Sequence, residues 1–335
     1  MNTAALTCWV VTDGKVGMEI QAIGLAEALG IQPVVKRIAP ARPWRWLPPS
    51  PLWASLSAAG PGGDRLDPPF PDILIASGRQ SAGPAIALRK ASGGKTFTVQ
   101  IQDPKVDPRH FDLMIVPEHD TVRGDNVFTT FGSLNRVTRA RLNAEAATFA
   151  PQLAHLPRPL VTVSVGGSND RYRLDSAAID ALCDRLLALV EERGVGLAVT
   201  PSRRTGKESE RRLRDRLAGA PAMVWDGAGE NPYFGYLGLA DYLVVTCDSV
   251  NMVSEACATG KPVHVVMLEG GSAKFARFHG AMREAGYTRP FTGALEDWSY
   301  APLDETARAA AEVKRRLEMQ RRSLAPPCGM TRCYN

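Results

Sequence analysis

This sequence carries none of the usual marks of a metal, redox or membrane protein. Its six cysteines form no CxxC pair, so the thiolate spacing of a structural zinc site is missing. Cys8, Cys183, Cys247 and Cys257 lie in apolar stretches, where cysteine acts as a small buried residue; Cys328 and Cys333 fall in a Pro/Gly-rich tail. Scattered thiols of this kind fit a reducing compartment. No apolar run is long enough to span a bilayer. No basic segment precedes the short apolar run Ala4 to Val11, which therefore reads as a first strand and not a secretion signal. The expected location is cytoplasmic, with peripheral contact at the inner face of a membrane left open. A net charge of +5 is too mild to mark a nucleic-acid partner. GxGxxG is absent, which removes the dinucleotide fingerprint. No DxD pair stands ready to hold a metal ion against a diphosphate.

What is present is an alternation of short apolar runs with helical stretches, over 335 residues, enough for two domains. The most informative stretch is Ala240 to Val263. Tyr242 to Thr246 is apolar or β-branched, as a buried parallel strand requires. Asp248 and Ser249 are placed to cap the next helix, whose free N–H groups and partial positive charge make an anion site. On that helix Val250, Val253 and Cys257 share one face, and Asn251, Glu255 and Ala258 share the other. This spacing predicts an exposed Glu255 one turn inside the helix. A diphosphate at the tip and a ribose on Glu255 make a nucleotide-shaped arrangement.

Elsewhere Leu6 to Thr12 is a strand followed by DGKVG and a helix from Met18 to Leu29. Open α/β sheets bind ligands at such turns, which singles out Asp13, Lys15, Glu19 and Gln21. A Pro-rich insertion from Pro40 to Pro71 carries Trp44, Trp46 and Trp53 beside Arg42 and Arg45. It suits a membrane interface, an acceptor pocket, or a loop folded on its own domain. Three further strands end in polar loops, bringing Ser77, Arg79 and Gln80, then Gln102, Asp103 and Lys105, then Glu118, His119 and Asp120 to one sheet edge. His119 between two acids is a candidate general base. Pro151 to Pro159 reads as an interdomain linker. A second series of strands and helices follows, with GGSND after its first strand and PSRRTGK after its second.

The expected fold is α/β, two Rossmann-like domains facing a cleft. Residues 1–150 form the first and 151–303 the second; 304–324 is a helix that packs back on the first, and 325–335 is a tail.

The second half resembles glycosyltransferases of the two-Rossmann B fold, in particular the peptidoglycan enzyme that moves N-acetylglucosamine from a uridine-diphosphate donor to a lipid-linked acceptor. The resemblance rests on Gly166-Gly167-Ser168 and, later, on Ala240-Asp241, Asp248-Ser249, Ser254-Glu255 and Gly260 to Pro262. Over nearly its whole length the chain also resembles bacterial members of the mitochondrial-fission family, named for elongated mitochondria in plants. The matching runs are TDGKVGMEIQAIGLAEALG, SGRQSA, QDPK, PEHD, SVGGSND and CDSVNMVSEACATGKPV.

These resemblances imply a metal-independent glycosyltransferase with no cofactor, its nucleotide-sugar donor being a substrate and its acceptor lipid-linked or part of the cell envelope. Gly166, Gly167, Ser168, Arg203, Arg204, Asp248, Ser249, Asn251, Met252 and Glu255 would bind the donor, with Lys207 as a further cation. Lys15, Gln21, Ser77, Arg79, Gln80 and Asp103 would bind the acceptor. The lipid-linked transferases carry a catalytic histidine in their first glycine loop, where this chain has Met18-Glu19. The base is therefore one of Asp13, Glu19 and His119. A sugar-nucleotide epimerase, or a non-catalytic adaptor at a membrane, is the alternative.

Overall fold

The structure is a computed structural model that describes residues 6–40, 42, 50, 52 and 54–324, the side chains of 323 and 324 excepted. Trp44, Trp46 and Trp53 lie outside the described residues, as do Cys328, Cys333 and the tail.

The chain divides into two compact units, residues 1–130 with 305–335, and 131–304. Unit 1 is built on six strands: β1 (Cys8–Thr12), β2 (Val34–Arg37), β3 (Ile73–Ser77), β4 (Phe97–Ile101), β5 (Leu113–Pro117) and β6 (Val127–Thr130). All pair in parallel, in the order β2-β1-β3-β4-β5-β6. Helix α1 (Val16–Ala28) follows β1 and α2 (Arg79–Ala91) follows β3. The strands read as continuous apolar runs because both faces are covered: Ile73, Leu74, Ile75 and Ala76 are all buried.

Unit 2 begins with α3 (Arg139–Leu153) and continues through β7 (Leu160–Val165), β8 (Tyr172–Arg173), α4 (Ser176–Arg193), β9 (Gly196–Pro201), α5 (Lys207–Leu217) and β10 (Ala222–Val224). It goes on through α6 (Tyr233–Leu239), β11 (Tyr242–Thr246), α7 (Val250–Cys257), β12 (Val263–Val266), β13 (Glu269–Gly270), α8 (Ala273–Glu284) and β14 (Thr288–Pro290). Its main sheet is parallel, in the order β10-β9-β7-β11-β12-β14. Counted within the unit this is 3-2-1-4-5-6, the doubly wound order, whose reversal between β7 and β11 opens a crevice at the strands' carboxyl ends. Leu243, Val244 and Val245 in β11 have no exposure, each contributing roughly 1.5–3 kcal/mol by burial. The short pair β8 and β13 is antiparallel and ties the loop after β7 to the loop after β12.

The boundary falls at 130/131, against the expected 150/151. The reason is α3, which packs against α6. Gly235 and Gly238 on α6 let the two helices meet closely, since a Cβ on them would stand 2.5 Å from Phe149 and 2.5 Å from the Leu142 carbonyl oxygen. Pro151, expected to open a linker, lies inside α3. The last helix, α9 (Glu305–Leu324), belongs to unit 1, where it packs on α1 and β6. Arg316 donates to the Asp125 carbonyl at 2.6 Å and Gln320 to that of Gly94 at 3.1 Å. No helix among the described residues is long and apolar enough to cross a membrane.

Candidate functional site

In unit 2 the loops after β7, β9 and β11 meet at the carboxyl edge, because these three strands are neighbours. Asp248 is their hub. Its side chain has no exposure. It accepts from Gly167 N at 3.0 Å, from the Thr246 hydroxyl at 2.7 Å and from Arg204 Nη2 at 2.7 Å. Gly166 N donates to Thr246 Oγ1 at 2.8 Å, and the Gly166 carbonyl accepts from Ser202 Oγ at 2.9 Å and from the Thr205 hydroxyl. A Cβ on Gly166 would lie 2.2 Å from Asp248 Oδ1, and one on Gly167 would lie 2.0 Å from the Arg204 carbonyl oxygen. The glycines are therefore needed for close approach between the three loops. Both their N–H groups are occupied within the protein and are not open to a donor. Ser168 likewise turns back, accepting from Leu174 N at 2.9 Å.

The expected double cap on α7 resolves into one cap and one brace. Ser249 Oγ accepts from Met252 N at 3.3 Å and caps the helix. Asp248 points the other way, into the loops. Asn251 and Met252 form the first turn, both partly exposed. Arg203 and Lys207 are exposed after β9, Lys207 opening α5, whose N-terminus has no side-chain cap. Arg204 keeps 42 % of its side chain exposed while one nitrogen holds Asp248. The crevice thus carries positive charge around an uncapped and a capped helix tip.

Glu255 is where the structure departs most from the sequence pattern. It was expected on the solvent face, but it is 4 % exposed. What meets it on that side comes from α6, a short helix with no clear periodic signal. Tyr233, its first residue, donates from its hydroxyl to Glu255 Oε2 at 2.8 Å. Glu255 Oε1 has no hydrogen bond among the described residues. Burial pushes the Glu255 carboxyl up to about 7, against a smaller downward pull from the Tyr233 bond. Two hydroxyls on neighbouring strands, Ser164 on β7 and Thr200 on β9, are in register, buried and unpartnered. Ser164 lies near enough to the Tyr233 hydroxyl to influence its titration.

Unit 1 has its own reversal, between β1 and β3. Lys15 and Gly78 start α1 and α2 there, neither helix having a side-chain cap. Met18 covers the spot, its sulfur accepting from Ser77 Oγ at 3.7 Å. Asp13 holds Lys15 Nζ at 2.7 Å. Glu19 gives both oxygens to Arg37, at 2.9 and 2.7 Å, so neither is free for an acceptor proton. His119 follows β5, three strand positions from β1, roughly 14 Å away at the usual strand spacing. The three candidate bases are therefore not gathered at one point. Arg79 is exposed and Gln80 partly so, both in the first turn of α2. Gln21 is buried and donates to the Gly17 carbonyl of its own helix. Asp103 follows β4 and holds Lys105 at 2.6 Å, in a loop where Gln102 and Lys105 adopt positive φ of 68° and 65°.

Sequence reasoning missed Tyr233, Ser164, Thr246 and Thr205, because a lone hydroxyl carries no pattern. It also missed His279 on α8, which meets the Cys247 carbonyl through Nε2 at 2.9 Å. Asp241, part of the glycosyltransferase resemblance, lies at the opposite strand end. It accepts from Leu160 N and Arg158, both at 2.7 Å, and anchors the start of β7.

The profile of the family described as Mitochondrial fission ELM1 matches residues 16–317. The Mitochondrial fission protein ELM1 of Arabidopsis thaliana is 37% identical over 276 residues, 74% of this chain and 64% of that protein. The chain thus aligns with a little under two thirds of that relative's length. Among solved structures, the UDP-GlcNAc 2-epimerase of Methanocaldococcus jannaschii superposes with a TM-score of 0.54 at 11% identity, covering 92% of this chain and 99% of that one. The same enzyme in complex with UDP-GlcNAc and UDP gives 0.53 at 11% identity, over 94% and 99%. The likeness is one of fold: two Rossmann-like units, as in B-type glycosyltransferases.

Proposed function

The chain belongs to the mitochondrial fission ELM1 family, and from the unit 2 site we propose that it is a nucleotide-sugar-dependent glycosyltransferase. The observation that carries this reading is Glu255: a nearly buried carboxyl with one unpartnered oxygen, one turn inside a capped helix at the strand-order reversal. Burying such a group costs stability unless a ligand uses it. A nucleotide places its diphosphate at the α7 tip and its ribose on Glu255, where a hydroxyl donates a charge-assisted bond.

In the reaction the acceptor hydroxyl oxygen forms a bond to the anomeric carbon. The bond from that carbon to the diphosphate breaks, and its electron pair leaves on the phosphate oxygen. Arg203, Lys207 and the outward nitrogens of Arg204 meet that charge. Unit 1 is assigned the acceptor, a lipid-linked or envelope hydroxyl compound held near Lys15 and Arg79, Ser77 being buried beneath Met18. The hydroxyl proton is assigned to Asp13, which follows β1 at the reversal and must loosen its hold on Lys15 to take it, whereas Glu19 is clamped through both oxygens by Arg37 and His119 sits strands away.

A thermal-shift screen of nucleotides and nucleotide-sugars tests the donor site. A ligand at a hundred times its Kd stabilises by about 2.7 kcal/mol, and Glu255→Ala must abolish the shift. No shift with any nucleotide refutes the reading. Product analysis with the bound nucleotide-sugar then separates transfer from epimerisation, since an epimerase turns over without an acceptor.

A further inference from the structure

We propose that Tyr233 is a specificity-determining, positioning residue of the donor site: its hydroxyl holds Glu255 Oε2, so that the carboxylate presents Oε1 alone and reads one ribose hydroxyl, not the pair. This rests on the donor-site reading above. The donation to Oε2 is 2.8 Å long. Tyr233 is only partly buried as a residue, but its hydroxyl end is desolvated, and burial together with the Glu255 charge raises its pKa well above the ordinary value. It therefore stays a protonated donor across the near-neutral range in which Glu255 ionises. The ring behind that hydroxyl stands against Phe234, edge to face at 5.4 Å. Oε1 carries no bond among the described residues, on a side chain that is 4 % exposed.

Two further features support a fixed phenol. Ser164 is buried on β7 without a partner, beside the Tyr233 hydroxyl. That oxygen keeps free lone pairs after donating to Glu255, so a small shift closes a relay from Ser164 through Tyr233 to Glu255. Tyr233 N also donates to Asn231 Oδ1 at 3.0 Å, which pins the start of α6. A carboxylate braced from one side offers a single acceptor of defined direction. An unbraced one, free to rotate, spans two neighbouring hydroxyls.

The test compares ADP, CDP, GDP and UDP by calorimetry, takes the tightest, and then titrates its 2′-deoxy and 3′-deoxy analogues into wild type and Tyr233→Phe across pH 5.5–8.5. For wild type, one deoxy analogue should lose about tenfold to a hundredfold in affinity, the worth of one charge-assisted bond, while the other stays within about twofold. Equal losses for both analogues overturn the inference while leaving the donor site standing. Absence of binding by all four nucleotides overturns the donor site itself. In Tyr233→Phe both analogues should weaken relative to the ribonucleotide. The pH below which binding fades should also move up, because the bond that holds the Glu255 proton affinity down is gone. An unchanged analogue pattern and an unchanged pH midpoint in that variant assign Tyr233 to packing alone. The wild-type arm is decisive even if the variant folds poorly.

Discussion

Replacing Glu255 by glutamine should make the protein more stable and less able to bind. The substitution keeps the shape and an acceptor for Tyr233 but removes the proton equilibrium. Burial moves the Glu255 carboxyl from 4.5 to about 7. A tenfold change in proton affinity is worth about 1.36 kcal/mol, so ionising this group in the folded state costs roughly 3 kcal/mol more than in the unfolded chain. The folded pKa is raised. The stability linked to Glu255 is therefore fully present below pH 4.5 and is lost as pH rises through about 7. Glutamine has no such loss. Urea denaturation at a series of pH values should give the variant near-parity at pH 4 and an advantage of roughly 3 kcal/mol at pH 8. Nucleotide affinity should meanwhile fall at least about tenfold. The difference curve is the right quantity because His264 masks the effect in wild type. His264 is buried, its Nε2 accepts from Glu296 N at 3.1 Å, and burial lowers its pKa from 6.5 to about 4. Its contribution is present above 6.5 and is lost as pH falls through about 4. The two slopes oppose one another over nearly the same range. A stability difference between wild type and Glu255→Gln that does not change from pH 4 to 8 refutes the reasoning, as does unimpaired binding.

The His264 slope should disappear in His264→Phe, leaving a wild-type-minus-variant difference that grows by roughly 3 kcal/mol from pH 4 to 6.5; denaturation at those two pH values checks it. Asp248→Ala strips the acceptor from Arg204, Thr246 and Gly167 N together. Arg204 can turn to solvent, but the Gly167 N–H and the Thr246 O–H are left unpaired, so loss of about 2–4 kcal/mol is expected in denaturant melts, and a change under about 1 kcal/mol would contradict the hub. Gly167→Ala forces a Cβ to within 2.0 Å of the Arg204 carbonyl oxygen and should cost at least about 3 kcal/mol. Gly83→Ala, inside α2 with nothing within 4 Å, should instead raise stability by about 0.5–1 kcal/mol.

The strands are legible because parallel strands buried on both faces must be apolar throughout. The run Tyr242 to Thr246 coincides with β11 to the residue, and the glycine loops after β1 and β7 follow from where each strand stops. The Ser249 cap is legible for the same local reason. What failed depended on covering. A helical wheel places Glu255 away from Val253 and Cys257, and it does lie there, but the wheel says nothing about Tyr233 of α6 reaching that face. Nor does the pattern Gly166-Gly167 reveal whether its N–H groups wait for a phosphate or serve Asp248 and Thr246. Pro151 misled because proline punctuates most helices, whereas here it sits near the end of α3. Asp13, Glu19 and His119 look equivalent as polar residues at strand ends; only the strand order and the Arg37 contact tell them apart.

The chain's return to unit 1 sets an order of assembly on the ribosome. The second unit is one continuous segment, whereas the first ends at residue 130 and resumes only at 305. Ala309, Ala310, Val313 and Leu317 of α9 are buried in its packing on α1 and β6. While the roughly 175 intervening residues are being translated, on the order of 10–35 s, the half made first exposes the apolar groove that only the last helix fills. The half made second can finish before the first. A nascent chain in that interval offers chaperones a defined hydrophobic target, which vanishes when α9 emerges from the exit tunnel.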